Sequence, residues 1–235
     1  MALILTEEQK MLKDSATELL TAKSPVIKMR ELRDSKYTPF APKLWEEMVD
    51  MGWTALTVPE GYNGLDFGFV GLGQILEETG RNLSKSPLIS SILLGTSALR
   101  LSDNEILKAK LFPGIMEGTC KLAFAIQEGI YHQTKLFKTS AVLEGENYTI
   151  NGSKTIVIDG PTADHYIVVC QVNKNLSLFI VDSNSKGISI SKKILIVGGG
   201  NIGFNLAKNL EESLDAARVK IVEKDKDRSE FLANK

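Results

Sequence analysis

The chain has 235 residues, 43% of them hydrophobic and 24% charged, and Lys+Arg 28 against Asp+Glu 29 leaves a formal net charge of -1. Nothing in that balance asks for nucleic acid or an anionic membrane as a partner. No run approaches the ~20 apolar residues that span a bilayer, and the opening MALILTEEQK lacks the basic stretch of a secretory signal, so no membrane insertion and a cytoplasmic setting are expected.

Residues 1–118 carry helical periodicity. Thr6 with Gln9 has the spacing of a capping box, and Leu12, Ala16, Leu19 and Leu20 then fall on one helix face. Pro42 opens a second pattern, with Leu44, Trp45, Met48 and Val49 on one face and Gly52 at its end, where a left-handed cap needs no Cβ. Phe69, Leu72, Ile75, Leu76 and Thr79 form a third stripe leading to Gly80, and SPLISSILLGTSALR from Ser86 is apolar nearly all round, as a central helix should be. The loop LTVPEGYNGLDFG, residues 56–68, is broken by Pro59, Gly61, Gly64 and Gly68, which favours a tight connector or a loop reaching a ligand. Glu46-Glu47 and Glu77-Glu78 are expected as solvated helix faces.

From about Lys121 to Ile190 the texture becomes short alternating runs rich in Val and Ile. Glu144-Gly145 and Asn151-Gly152 mark two reversals, the latter a strong hairpin signal because Asn-Gly tolerates positive φ at both central positions. An antiparallel sheet or barrel segment is expected. Cys120, Cys170, His132 and His165 share no metal-ligand spacing, so no metal site is expected and the cysteines read as small apolar residues. After Lys192, KKILIVGGG, NIGFNLAKNLEESLD and RVKIVEKD read as strand, helix and strand, one βαβ unit. Gly198, Gly200 and Gly203 meet the dinucleotide fingerprint, and Glu223 ends the second strand where an acid binds ribose hydroxyls, pointing to NAD(H) or an adenine nucleotide.

The blocks LTEEQKMLKDSATELL, LWEEMVDMGWTALTVPEGYNGLDFG, ILEETGRNLSKSPL, LAFAIQEG and YTINGSKTIVIDGPTADHYIVV stand in order over residues 4–191. Together they resemble the acyl-CoA dehydrogenase family of flavoproteins, and SKTIVIDGPTADHYIVV is more similar to members that act as one subunit of a two-subunit enzyme. The resemblance implies N-terminal helices, a middle β domain and a C-terminal bundle, with FAD between the last two. It also implies an oxidoreductase acting on the CH–CH group of an acyl-CoA, in which a carboxylate removes the α-proton while hydride leaves the β-carbon for the flavin. The flavin-contacting loop aligns with Phe124-Ala-Ile-Gln-Glu128 and the flavin-contacting strand with Ile156-Val-Ile158, which puts Phe124, Ile126, Gln127, Ile156 and Ile158 at the cofactor. The chain departs from the family at these positions: Gln127 replaces a Thr, Gly129-Ile-Tyr-His132 replaces a Ser-containing continuation, and Ile156 and Ile158 replace Trp and Thr. The implied catalytic glutamate belongs to the C-terminal bundle, so no catalytic residue is nominated in residues 1–191.

Residues 193–235 are similar to the nucleotide-binding repeat of TrkA-type (RCK) regulators, peripheral subunits of potassium uptake. The expected architecture is therefore an α+β multi-part chain. An N-terminal α-helical bundle covers residues 1–118, a partial antiparallel β domain 119–191, and a partial Rossmann-like βαβ unit 192–235, with a fusion or truncation near 191–193. Three functions stay open: a flavoprotein subunit needing a homo- or hetero-oligomeric partner to act on an acyl-CoA, an NAD(H)-binding regulatory module, and an inactive fusion product.

Overall fold

The computed structural model describes residues 4–34, 40–129, 137–197, 204–208, 217–222, 225 and 227. Two compact units divide the chain, residues 1–185 and 186–235. The first opens with helices α1 (Glu7–Lys23), α2 (Val26–Asp34), α3 (Pro42–Asp50) and α4 (Phe69–Arg81). The capping box forms as expected: the Thr6 hydroxyl accepts from the Gln9 amide at 3.3 Å, and the Gln9 side chain accepts from the Thr6 amide at 3.1 Å. Along α3, Leu44, Trp45 and Met48 are buried, and Gly52 follows at φ +74°.

On α4 the inward face is Leu72, Ile75, Glu78 and Thr79, while Phe69 is exposed and Gly80 lies inside the helix. Glu78 corrects the expectation of a solvated acidic pair. It stands three residues after Ile75 on the same face, so only Glu77 faces solvent while Glu78 is 1% exposed. Its Oε1 accepts from Arg81 Nε at 3.2 Å, and its Oε2 has no donor among the described residues.

The central apolar segment is present but is not a uniform α-helix: Leu88–Gly95 is π-helical and passes into α5 (Thr96–Arg100). Hydroxyls take up carbonyls that an α-helical ladder would use, Thr57 Oγ1 donating to Ile92 O at 3.3 Å and Thr96 Oγ1 to Ser91 O at 3.1 Å. Helix α6 (Glu105–Met116), capped by Asn104, completes the bundle. Loop 56–68 is closed on itself by Leu65 N–H to Ala55 O, Asp66 N–H to Val58 O and Phe67 N–H to Leu56 O, and Arg100 bridges Asp66 to Thr57 O.

The middle region is a five-stranded mixed sheet, which corrects the expected antiparallel one. Its strands are β1 (Leu122–Ala125), β2 (Ser140–Glu144), β3 (Asn147–Asn151), β4 (His165–Val172) and β5 (Asn175–Asp182). β4 pairs antiparallel with β5 along its whole length, and its other edge is shared by two parallel partners, β1 at His165–Val168 and β2 at Gln171. Alternation in the sequence marks strands but not their partners: β1 and β2 both run parallel to β4, and β3, antiparallel to β2, lies beyond it. The β2–β3 hairpin turns at Gly145-Glu146.

Asn151-Gly152 is not a hairpin. β3 ends at Asn151, and a Cβ on Gly152 would lie 2.4 Å from Thr139 Oγ1 and 2.6 Å from Thr139 Cα, so the glycine is there for close approach of two segments. Gly95 does the same between layers: its Cβ would lie 2.6 Å from Leu122 Cβ, so only a glycine lets the π-helix rest on β1. Ser91 Oγ accepts the Leu122 amide at 3.1 Å across that contact.

In the second unit, β6 (Lys192–Val197) and β7 (Ala217–Val222) pair in parallel from Lys192↔Ala217 to Val197↔Val222, with residues 204–208 helical between them. Gly198, Gly200, Gly203 and Glu223 lie outside the described residues, as does His132. Both cysteines are free, Cys170 buried and Cys120 half-buried. Among the described residues no helix is long and apolar enough to cross a membrane, and no cluster of metal-ligating side chains occurs.

Candidate functional site

The residues that the family resemblance assigns to flavin contact come from two stretches separated by about thirty positions, and the structure brings them side by side. The first is β1 with its exit, Phe124 to Glu128, laid on the core by the Gly95 and Ser91 contacts at Leu122. The second, residues 152–158, is not the expected strand; it is irregular, and it is stitched to the β1 exit by polar groups. Thr155 N–H donates to Gln127 O at 2.7 Å, and Thr155 Oγ1 donates to Gly129 O at 2.8 Å. Lys154 Nζ donates to Ile126 O at 3.2 Å and to Glu128 Oε1 at 2.6 Å.

Glu128 also receives the backbone amides of Lys138 and Thr139, so it ties three segments. The Glu128 and Lys154 side chains are 11% and 7% exposed. Burial acts to raise the Glu128 carboxyl, but the Lys154 hydrogen bond and the two amides outweigh it and hold the group at about 2. Lys154 Nζ lies 4.8 Å from the Phe137 ring centroid, an aromatic face that further favours the ammonium.

The consequence falls on Ile156. It has φ +53° and is 74% exposed, so a β-branched residue is held in the left-handed region with its apolar side chain in the open. Val157 turns inward onto Ala123, Ala163 and Tyr166, and Ile158 turns out again at 48% exposed. Asp159, also left-handed, accepts from Ser90 Oγ at 2.6 Å; burial raises its carboxyl and that hydrogen bond partly offsets the rise. Gly160 O accepts the Tyr166 hydroxyl at 2.9 Å. The segment is thus pinned at both ends while its two isoleucines are presented outward.

Phe124 is half-buried and packs against the helical core. Ile126 is half-buried with its carbonyl occupied by Lys154, and Gln127 is half-buried with Nε2 directed at Gly129 O at 3.5 Å. Gln127 keeps an amide oxygen and a second N–H for a ligand. Among the described residues the amides of Ile156 and Ile158 have no protein acceptor. Two apolar side chains with polar groups beside them suit a flat heteroaromatic ring carrying carbonyls and ring nitrogens. Glu128 ends the loop that the resemblance aligns with flavin contact, but its partner Lys154, and Thr155, Ser90 and Asp159, are not singled out by the sequence: Glu128 and Lys154 are 26 positions apart, Ser90 and Asp159 69, and no local spacing pairs them.

Comparison with known proteins bears on the same stretches. The profile of the acyl-CoA dehydrogenase N-terminal domain matches residues 6–119, and that of the acyl-CoA dehydrogenase middle domain matches 130–204. The chain is 30% identical over 166 residues to a 3-(aryl)acrylate reductase of Clostridium sporogenes, covering 67% of this chain and 44% of that protein. It is 27% identical over 197 residues to an acyl-CoA dehydrogenase of Bacillus subtilis, covering 80% and 51%. Among solved structures, the ChsE4-ChsE5 complex from Mycobacterium tuberculosis superposes with TM-score 0.74 at 23% identity, over 82% of this chain and 51% of that one. A glutaryl-CoA dehydrogenase from Mycobacterium smegmatis in complex with FADH2 superposes with TM-score 0.69 at 16% identity, over 79% and 48%. The chain spans about half the length of the curated relatives it matches. With N-terminal helices and a mixed sheet in the arrangement of these structures, and both domain profiles matched in order, the chain belongs to the acyl-CoA dehydrogenase family.

Proposed function

We propose that residues 122–129 and 152–158 form one wall of an FAD site in an enzyme that dehydrogenates an acyl-CoA thioester, with Phe124, Ile126, Gln127, Ile156 and Ile158 facing the flavin. The observation that carries this reading is Ile156: strained backbone and an exposed apolar side chain at the position that the family uses for flavin contact. Bound flavin would supply the hydride acceptor. The chain's own residues bind and orient it: Ile156 and Ile158 offer apolar cover, Gln127 offers its amide to a polar ring edge, and the Glu128–Lys154 and Asp159–Ser90 ties keep the wall in place. The carboxylates in this wall are already committed, Glu128 to Lys154 and two amides and Asp159 to Ser90, so neither serves as the α-proton base.

The mycobacterial relative is solved as a complex of two proteins, which supports a homo- or hetero-oligomeric partner here. We assign the helical unit to residues 1–118 and the β unit to 119–191, in a cytoplasmic enzyme. Titrating the protein with FAD tests the proposal. Saturable quenching of flavin fluorescence, weakened at least tenfold by Ile156→Glu, is expected; no saturable binding overturns it.

A second reading attaches to residues 192–222, where parallel pairing of β6 and β7 around a helical segment is the geometry that a dinucleotide-binding unit requires. On that reading Gly198, Gly200, Gly203 and Glu223 hold NAD(H), as in a TrkA-type module. Against it, the middle-domain profile runs through this glycine stretch to residue 204. NADH affinity abolished by Gly200→Val supports the reading, and affinity unchanged by that substitution removes it.

A further inference from the structure

We infer that the Glu128–Lys154 ion pair is a positioning element for the cofactor: by locking residues 126–129 against 154–155 it forces Ile156 into the left-handed conformation and sets the outward pose of the shelf formed by Ile156 and Ile158. The inference rests on the FAD reading above and goes beyond it, since neither charged residue is among those proposed to face the flavin. Its basis is the order of restraints along the chain. Lys154 is anchored to Ile126 O and Glu128, and Thr155 to Gln127 O and Gly129 O. Val157 is then packed on Ala123 and Tyr166, and Asp159 is tied to Ser90. Ile156 is the only residue between the anchored pair and the packed valine, so the backbone reversal that these anchors demand falls on it. Nothing in an isoleucine favours φ +53°; the neighbours on either side impose it.

A surface ion pair would not do this. The pair is nearly buried, and each partner has further hydrogen bonds that fix its orientation: Glu128 accepts two amides besides the ammonium, and Lys154 donates to a carbonyl besides the carboxylate. Such geometry makes the pair rigid, and it makes removal of one partner alone damaging to the fold because an unpaired charge is left buried. The paired replacement Glu128→Gln with Lys154→Met avoids that outcome. The introduced carboxamide keeps an oxygen for one of the two backbone amides, which reach different oxygens of Glu128, and the introduced thioether keeps the length of the lysine side chain, while the other amide tie, the tie to Ile126 O and the ion pair disappear.

The test compares the 235-residue chain with this double variant and with Lys154→Arg, which retains the charge. Thermal unfolding first establishes that each is folded; FAD affinity and the visible circular dichroism of bound flavin are then measured. We expect the double variant to bind FAD at least tenfold more weakly with an altered visible dichroism band, and Lys154→Arg to retain most of the affinity and the native band. Equal affinity and an unchanged band in a folded double variant overturn the inference while leaving the FAD reading intact. A wild-type protein that binds no FAD removes that reading, and the positioning role falls with it. If the double variant does not fold, the same two measurements on Thr155→Val decide, because that change removes the hydroxyl bond to Gly129 O and leaves both charges in place. Weakened binding with an altered band then supports the lock, and unchanged binding overturns it.

Discussion

The helices over residues 7–116 bury Trp53, Met48, Leu20, Leu72, Ile75, Ile92, Phe112 and Ile115 completely, whereas the second apolar cluster, inside the β region, consists of Ala123, Ala163 and Tyr166 with Val157 and Val168 against them. The helical region is held by area removed from water, a non-directional force that tolerates small shifts. The proposed flavin wall of the β region is held by directional polar ties, Glu128 to Lys154, Thr155 to Gln127, Asp159 to Ser90 and Asp164 to the Lys121 amide. Position matters more than mass at a cofactor site, and hydrogen bonds of fixed length and angle supply position. The difference also locates sensitivity: the helices should respond to lost volume, and the wall to lost charge.

Breaking the helical side gives the largest effect. Trp53 is 0% exposed at the centre of the bundle, and Trp53→Ala should cost about 3–5 kcal/mol, read as a fall in the urea midpoint monitored by Trp45 fluorescence. A loss below about 1 kcal/mol would mean that this core is not the main source of stability.

Acid probes the polar side. Glu128 is held at about 2 when folded, against ~4.3 for an ordinary glutamate, so its contribution is complete above the unfolded value and is lost as pH falls through the folded one. The expected size is roughly 3 kcal/mol between about pH 5 and pH 2, and the pH dependence of unfolding should flatten in the Glu128→Gln/Lys154→Met variant. The same slope in both proteins would place the acid sensitivity elsewhere.

Gly152→Ala sharpens the contrast further, since the new Cβ meets Thr139 Cα at 2.6 Å and backbone must move. A destabilisation of about 1–3 kcal/mol is expected, with amide exchange rising around residues 137–141 and 150–155 and unchanged in α1 and α4. The smallest effect has the opposite sign. Ile156→Gly relieves a left-handed β-branched residue that is 74% exposed, and should raise stability by about 0.5–1 kcal/mol in the absence of flavin while weakening FAD binding. A variant less stable than the parent would show that Ile156 is not strained.

Much of the helical region was legible from the chain alone, because an amphipathic stripe and a cap are local patterns. Thr6 with Gln9, and Leu44, Trp45 and Met48 ahead of Gly52, announce their roles within a few residues. Glu78 shows the limit of reading charge by type: helix phase put it on the Ile75 face, and phase outweighed polarity. In the β region β1 to β5 were legible as strands but their partners were not, and residues 156–158 and 187–191, which read as β runs, are irregular. Asn151-Gly152 has the chemistry of a hairpin turn, yet the tertiary demand for a close approach to Thr139 used the glycine differently.

The amino-acid sequence by itself determined most of the helices and strands and the family to which the chain belongs, and through that family it pointed to Phe124, Ile126, Gln127, Ile156 and Ile158 as the positions proposed for flavin contact. Those follow from short-range periodicity and from ordered blocks of residues. Only the tertiary structure decided that the sheet is mixed, that Leu88–Gly95 is π-helical, and that Ile156 is pushed outward by an ion pair between residues 26 positions apart. Pairing across such separations leaves no local pattern, because the two charges meet only once the chain has folded, and what holds them together there is the desolvation cost of leaving either one buried without its partner.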